Sequence, residues 1–187
     1  MRILLAVCML VCAVVFMGPE PAAVSAAPGD EAASIAAFRK MVPVLNHPRC
    51  MNCHTTVAWP TVGDDQKRHP MNIARGTDDR GAQGLRCSTC HKDKNVANIP
   101  GAKDWHMAPL AQGWTGLSPG AVCRALTDRT KNGGRSGAKI IEHLHADALV
   151  LWAWTPGAKR TAPPVTHKDF LAAAETWIKA GAHCPAP

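Results

Sequence analysis

The sequence predicts a mainly α-helical fold with extensive irregular loops, and three observations carry that prediction. Apolar residues recur at helical spacing near both ends of the chain. Between them, residues 42–116 are rich in Pro, Gly, Asn, Asp and Thr and show little periodicity. No stretch alternates apolar and polar residues as a half-buried strand would. At 47% hydrophobic and 19% charged over 187 residues, the composition is that of a globular chain able to bury one core.

Taken in order, residues 1–26 read as a secretory signal. Arg2 precedes an apolar run over 3–17, Gly18-Pro19 breaks it, and small residues suited to cleavage follow near Ala26 and Ala27. An uncleaved membrane anchor is the alternative, but the run is short of the roughly 20 residues a spanning helix needs. Residues 27–187 are then expected to form a single domain in the periplasm, with no membrane span once the signal is removed.

Ile35, Phe38 and Met41 predict a first helix over 30–41 that Pro43 stops. Ser118 as a cap and Pro119 at the first helical position predict a helix to about residue 130. The turn-rich KNGGRSG at 131–137 follows, without the Gly-Lys-Ser/Thr ending of a phosphate loop. Residues 138–154 are apolar enough for one buried helix. Thr166, with Asp169 three residues on, resembles a capping box. It opens a last helix whose Phe170, Ala174, Trp177 and Ile178 share a face and which Gly181 ends. The helical C-terminal part is thus 117–184.

An irregular stretch as long as 42–116 implies that something other than a hydrophobic core orders it. It contains RCMNCH at 49–54 and RCSTCH at 86–91. Thiols at i and i+3 lie on one side of a helical turn and can form thioethers with the two vinyl groups of one haem. The histidine that follows then reaches the iron, which makes this the c-type haem attachment signature. A four-cysteine zinc site also uses two Cys-x-x-Cys pairs, but it has no need of the histidines. With nine His in the chain, a histidine directly after both pairs arises by chance about one time in four hundred. A thiol oxidoreductase would carry one such pair. The sequence therefore predicts two covalently bound haem c groups, attached at Cys50 and Cys53 and at Cys87 and Cys90, with His54 and His91 as proximal iron ligands. The fold class becomes a cytochrome c-like dihaem domain ordered around two covalent haems, with its haem-binding core at about 42–116.

A displacement of 37 residues maps the first motif onto the second, Arg49 onto Arg86 included, and it also maps His69 onto His106. Each of these histidines lies 15 residues after its proximal histidine. Met71 and Met107 are near enough to compete as distal ligands, but under the same displacement Met71 falls on Ala108 and Met107 on Pro70. His69 and His106 are thus the expected distal ligands, with methionine as the alternative, and spacing does not decide which serves which motif. His47 is a reserve ligand. His143, His145, His167 and His183 are expected to be surface, capping or hydrogen-bonding residues. Trp59 and Trp105, inside the repeat, are the expected aromatic packing partners of the porphyrins.

Loss of the signal removes Cys8 and Cys12, and the remaining pair outside the motifs, Cys123 and Cys184, is expected to form a disulfide in an exported chain. The formal charge of +7 is unchanged by signal removal, since the leader holds one Arg and one Glu. It suits an acidic redox partner. The basic residues are scattered and accompany no nucleic-acid motif, so nucleic acid is not an expected partner. Iron held by two imidazoles has no open site for a substrate, so the expected role is electron transfer and not catalysis. The alternative is a dihaem enzyme of the cytochrome c peroxidase kind, which needs a missing or displaceable distal ligand beside an acid/base group.

RCMNCH, HPMNIARG at 69–76, GLRCSTCH at 84–91, DWHMAP at 104–109, GAVCRALTDRTKNGGRS at 120–136, LVLWAWTPG at 149–157 and WIKAGAHC at 177–184 together resemble the small exported dihaem proteins of the isoquinoline 1-oxidoreductase subunit family. The resemblance spans most of the chain after the signal. It implies a molybdenum hydroxylase as partner, whose electrons the cytochrome accepts after substrate oxidation. The chain has no molybdenum-cofactor signature of its own, so hydroxylation would fall to the partner.

Overall fold

The computed structural model describes residues 28–157 and 159–187; the expected signal segment lies outside them. Among the described residues no helix is long and apolar enough to cross a membrane.

The first helix, α1 (Pro28–Leu45), runs four residues beyond its expected end and passes through Pro43. A proline inside a helix removes one N–H and displaces the carbonyl four residues earlier. Here Pro43 and Arg39 are both exposed, so that carbonyl is left to water and the opposite face of α1 keeps its packing. That face carries Phe38, Met41 and Val44, all fully buried.

α2 (Pro48–Met51) and α3 (Cys87–Cys90) are single helical turns that carry the two cysteine motifs. The irregular middle also holds three antiparallel hairpins: β1 (Thr61–Val62) with β2 (Lys67–Arg68), β3 (Gly81–Ala82) with β4 (Leu85–Arg86), and β5 (Lys94–Val96) with β6 (Ile99–Ala102). Strands of two to four residues are too short to show alternation, which is why the sequence pattern missed them. The fold is therefore mixed, 43% helical with a few short strands.

α4 (Pro119–Thr127) begins as expected, with Ser118 Oγ accepting from Ala121 N at 3.2 Å, and it ends three residues early. The single helix expected over 138–154 is two, α5 (Gly137–Ala146) and α6 (Ala148–Trp152). Asp147 divides them. Its backbone N–H closes α5 on His143 O, while its Oδ1 accepts from Leu149 N at 2.8 Å and Val150 N at 3.4 Å to open α6. An aspartate supplies an N-cap wherever the backbone can turn, and here that preference outweighs the apolar pattern. α7 (His167–Lys179) starts at Thr166, whose hydroxyl accepts from Asp169 N at 3.1 Å.

α1 and α7 pack together as the main helix pair. Phe38 and Trp177, both at 0% exposure, meet with ring centroids 5.2 Å apart. Burial of each such side chain contributes about 1.5–3 kcal/mol. The pair is also tied by a polar relay: Ser34 Oγ donates to Trp177 O at 3.0 Å and accepts from His183 N at 2.9 Å. Cys123 and Cys184 lie at disulfide distance, with Cα atoms 5.6 Å apart and a sequence separation of 61. Closing a loop of that length stabilises a fold by about 4 kcal/mol in the chain-entropy picture.

Candidate functional site

Both motifs fold into one local design. In the first, His47 caps α2 by accepting from Arg49 N at 3.2 Å, Pro48 occupies the first helical position, and His54 N bonds Cys50 O at 3.0 Å. In the second, His91 N bonds Cys87 O at 2.9 Å. Each motif is thus a single turn that sets its two cysteines on one side.

Each motif histidine is then clamped twice. His54 Nδ1 donates to Gln112 O at 2.8 Å, and its ring stacks on Trp114 with centroids 3.6 Å apart and planes 15° from parallel. His91 Nδ1 donates to Pro100 O at 2.7 Å, and its ring stacks on Trp105 at 4.6 Å and 7°. A bond at Nδ1 fixes the tautomer and leaves Nε2 as the free lone pair, the arrangement a metal-binding imidazole needs. The clamps are themselves anchored. Gln112 is buried and its Nε2 donates to Ala125 O in α4 at 2.7 Å. Pro100 sits in β6 beside Gly101, where a Cβ would collide with the carbonyls of Lys92 and Lys94. Gln112 and Trp114 lie outside the repeated spacing and were not singled out by sequence.

The motifs border two adjoining cavities with mostly apolar walls. Cys50, Cys53 and His54 line one of about 160 Å³, walled by Val44, Leu126, Ile140, Leu144, Val150 and Phe170. Cys87, Cys90 and His91 line another of about 320 Å³. Arg49, Cys53 and His106 border both. All four motif cysteines are free thiols. Burial, followed by the neighbouring Cys53, pushes Cys50 up to about 12, and burial, followed by Cys87, pushes Cys53 up to about 11. Burial also raises Cys87. A disulfide oxidoreductase needs a thiolate of lowered pKa, and these thiols move the other way. Burial likewise pushes the His54 imidazole down to about 4, which keeps it neutral.

The repeat-matched histidines are placed differently from one another. His69, one residue after β2, comes to the second cavity, where its ring centroid lies 6.0 Å from that of His91 with planes 70° apart. Two imidazoles bonded to opposite sides of one metal ion at about 2 Å put their ring centres about 6 Å apart. His69 Nδ1 donates to Pro70 O at 2.7 Å, leaving Nε2 unengaged. His69 therefore faces the motif that follows it in sequence, and not its own. His106 follows β6, donates Nδ1 to Asp104 O at 2.5 Å, and stands in the wall shared by the two cavities.

Met71 and Met107 both border the second cavity; Met107 is buried and Met71 is 70% exposed. His47 has Nδ1 engaged as a cap and Nε2 3.5 Å from Thr161 Oγ1, which suits a cap and not a ligand. His167 is a hydrogen-bonding residue, donating Nε2 to Leu144 O at 2.9 Å, and His145 is exposed. His183 Nε2 is buried with no hydrogen-bond partner. Trp105 lines the second cavity, whereas Trp59 borders neither and instead receives the Arg68 guanidinium at 4.4 Å. His143, expected as a surface, capping or hydrogen-bonding residue, borders the first cavity; its four-residue spacing to Asp147 is a signal that could have singled it out and was not used.

Among the described residues no three His, Cys, Asp or Glu side chains converge as a metal-ion site. Haem iron takes only two axial protein ligands, and the donor set is compatible with it: paired thiols on one turn, an Nδ1-clamped imidazole, and for the second motif a second imidazole with its ring centroid 6.0 Å away. Comparison with protein-family models, curated proteins and solved structures finds no match.

Proposed function

We propose that the chain is an exported, cytochrome c-like dihaem protein that carries single electrons. The observation that carries this reading is the approach of His69 to His91, with ring centroids 6.0 Å apart, in the cavity that Cys87 and Cys90 line. Cys50 and Cys53 would bond one haem and Cys87 and Cys90 the other, each thiol adding across a vinyl double bond with its hydrogen going to the neighbouring carbon. His54 and His91 would be the proximal ligands and His69 the distal ligand of the second haem; His106 and His143 border the first cavity and compete for the other distal place. Bound there, each haem supplies an iron that is reversibly reduced by one electron.

The protein's own residues set the conditions for that exchange. The Gln112 and Pro100 carbonyls hold the imidazole tautomers, and Trp114 and Trp105 fix the ring planes. The mostly apolar walls of the first cavity would limit water around a bound group, and His91 and His69 together would leave an iron held between them no place for a substrate. Cys53 borders both cavities, so two groups attached at the motifs would be neighbours, as internal transfer requires. Lys92, Lys94 and Lys103 are exposed around the second motif and, with the net positive charge, suit docking of an acidic partner. A molybdenum hydroxylase as electron donor is the partner that the family resemblance suggests.

Production in a bacterium able to attach haem c to exported proteins tests the reading. The purified chain should carry two haems by mass and show six-coordinate, low-spin iron that does not react with peroxide in either redox state. A mass without bound haem would refute the cofactor assignment, and reaction with peroxide would favour the enzyme over the carrier.

A further inference from the structure

The repeat that supplies a distal ligand to the second motif supplies none to the first. His69 serves the motif beginning 18 residues later, at Cys87. One repeat earlier the equivalent of His69 is Ala32, an exposed residue of α1. One repeat later the equivalent relation would bring His106 to a third Cys-x-x-Cys-His, and the chain has only two. The repeated relation therefore leaves the partner for His54 unassigned.

α5 provides it. Ile140, His143, Leu144 and Asp147 follow one another at i, i+3, i+4 and i+7, and all four border the first cavity together with His54, Cys50 and Cys53. His143 thus belongs to the cavity-facing stripe of its helix. Its Nδ1 lies 3.3 Å from Asp147 Oδ2, while Asp147 is itself fixed by capping α6. Its Nε2 makes no hydrogen bond among the described residues, so the ring repeats the state of His54, His69 and His91: Nδ1 held, Nε2 available. His106 holds its Nδ1 in the same way, at Asp104 O, but it stands in the wall shared by the two cavities, whereas His143 borders the first alone.

We propose that His143 is the distal ligand of the haem attached at Cys50 and Cys53, oriented by Asp147, so that the axial pairs are His54 with His143 and His91 with His69. The assignment rests on the dihaem reading. It makes the α5–α6 joint part of the first haem site and leaves His106 in the wall between the two sites.

The test compares His143→Ala, His143→Met and His106→Ala with wild type, all produced with haem attached and judged by electron paramagnetic resonance and absorption. His143→Ala should turn half of the haem high-spin. His143→Met should restore a six-coordinate, low-spin iron and bring in the long-wavelength sulfur-to-iron charge-transfer band. His106→Ala should leave both haems low-spin. A fully low-spin His143→Ala protein, or a His106→Ala protein with half its haem high-spin, overturns the assignment while the two-haem mass of wild type still upholds the dihaem reading; absence of that mass would instead remove the reading itself. If neither His143 variant takes up haem, nuclear magnetic resonance of the reduced wild-type protein decides. The His143 ring protons should be displaced strongly upfield by the porphyrin ring current, and ordinary positions would overturn the proposal.

Discussion

Trp114 lies flat on His54, 3.6 Å between ring centroids, and is 4% exposed. It joins the loop after the second motif to the first motif, and its backbone N–H adds a bond to His54 O at 2.7 Å. Trp114→Ala should destabilise the haem-loaded protein by about 3–5 kcal/mol, because deleting a buried indole removes its transfer energy and leaves a cavity. Trp114→Phe should cost less, since it keeps a ring against the imidazole. Denaturant unfolding followed by circular dichroism measures both; equal losses would mean that the stacked face contributes nothing beyond volume.

On the dihaem reading, the crossed placement of His69 predicts which haem it would serve. His69→Ala should render half of the haem high-spin. In a Cys87→Ala, Cys90→Ala background, which leaves only the first attachment site, the same change should leave the spin state unaltered. Spin change in that background, read by electron paramagnetic resonance, would place His69 at the first motif instead.

Arg49 is buried and borders both cavities, whereas Arg86 borders only the second. A fixed positive charge in a poorly solvated wall favours the reduced iron beside it. Arg49→Gln should therefore lower both midpoint potentials, and Arg86→Gln should lower one, by less, because its side chain is 40% exposed and screened by solvent. Spectroelectrochemical titration resolves the two. Movement of a single potential in Arg49→Gln would show that the shared wall does not act on both sites.

Asp78 receives hydrogen bonds from Arg86 Nη1 at 2.9 Å and Nη2 at 2.5 Å. The Arg86 guanidinium holds its carboxyl down to about 2. A depressed carboxylate contributes stability that is present above its unfolded value of about 4 and is lost as pH falls through the folded one. Asp78→Asn should accordingly be less stable than wild type near neutral pH, with the gap closing between about pH 4 and pH 2. Thermal unfolding across that range checks the sign; a gap that widens on acidification would contradict it.

The helices at both ends were legible because their signals are local. Ser118-Pro119 and Thr166 with Asp169 mark starts, and Phe38, Met41, Phe170 and Trp177 mark buried faces. Pro43 misled because its effect depends on which side of α1 meets solvent, and that follows from the distant packing of α7. Asp147 misled in the opposite sense: its capping power is local, but an apolar run on either side concealed it. At the site, Cys50, Cys53, His54 and their counterparts were readable from adjacency. Trp114, Gln112 and His143 were not, since each reaches the first motif only through the tertiary packing of segments distant from it in sequence. The 37-residue spacing correctly paired His69 with His106 as sequence equivalents, yet equivalence in sequence did not give them equivalent surroundings.

The buried apolar residues are unevenly shared along the chain. α1, α4, α5 and α7 hold most of them, whereas between Cys53 and Gly113 only Ala102 and Met107 are buried and hydrophobic. A segment so poor in core cannot offset its own conformational entropy by burial alone. On the proposed reading, the helical body can form first and present Cys50 at the end of α1, while the hairpin region gains its apolar interior only when porphyrin fills it. Maturation of this protein is then a step of folding, and a chain that misses its second haem would be a target for proteases between the two motifs well before it failed as an electron carrier.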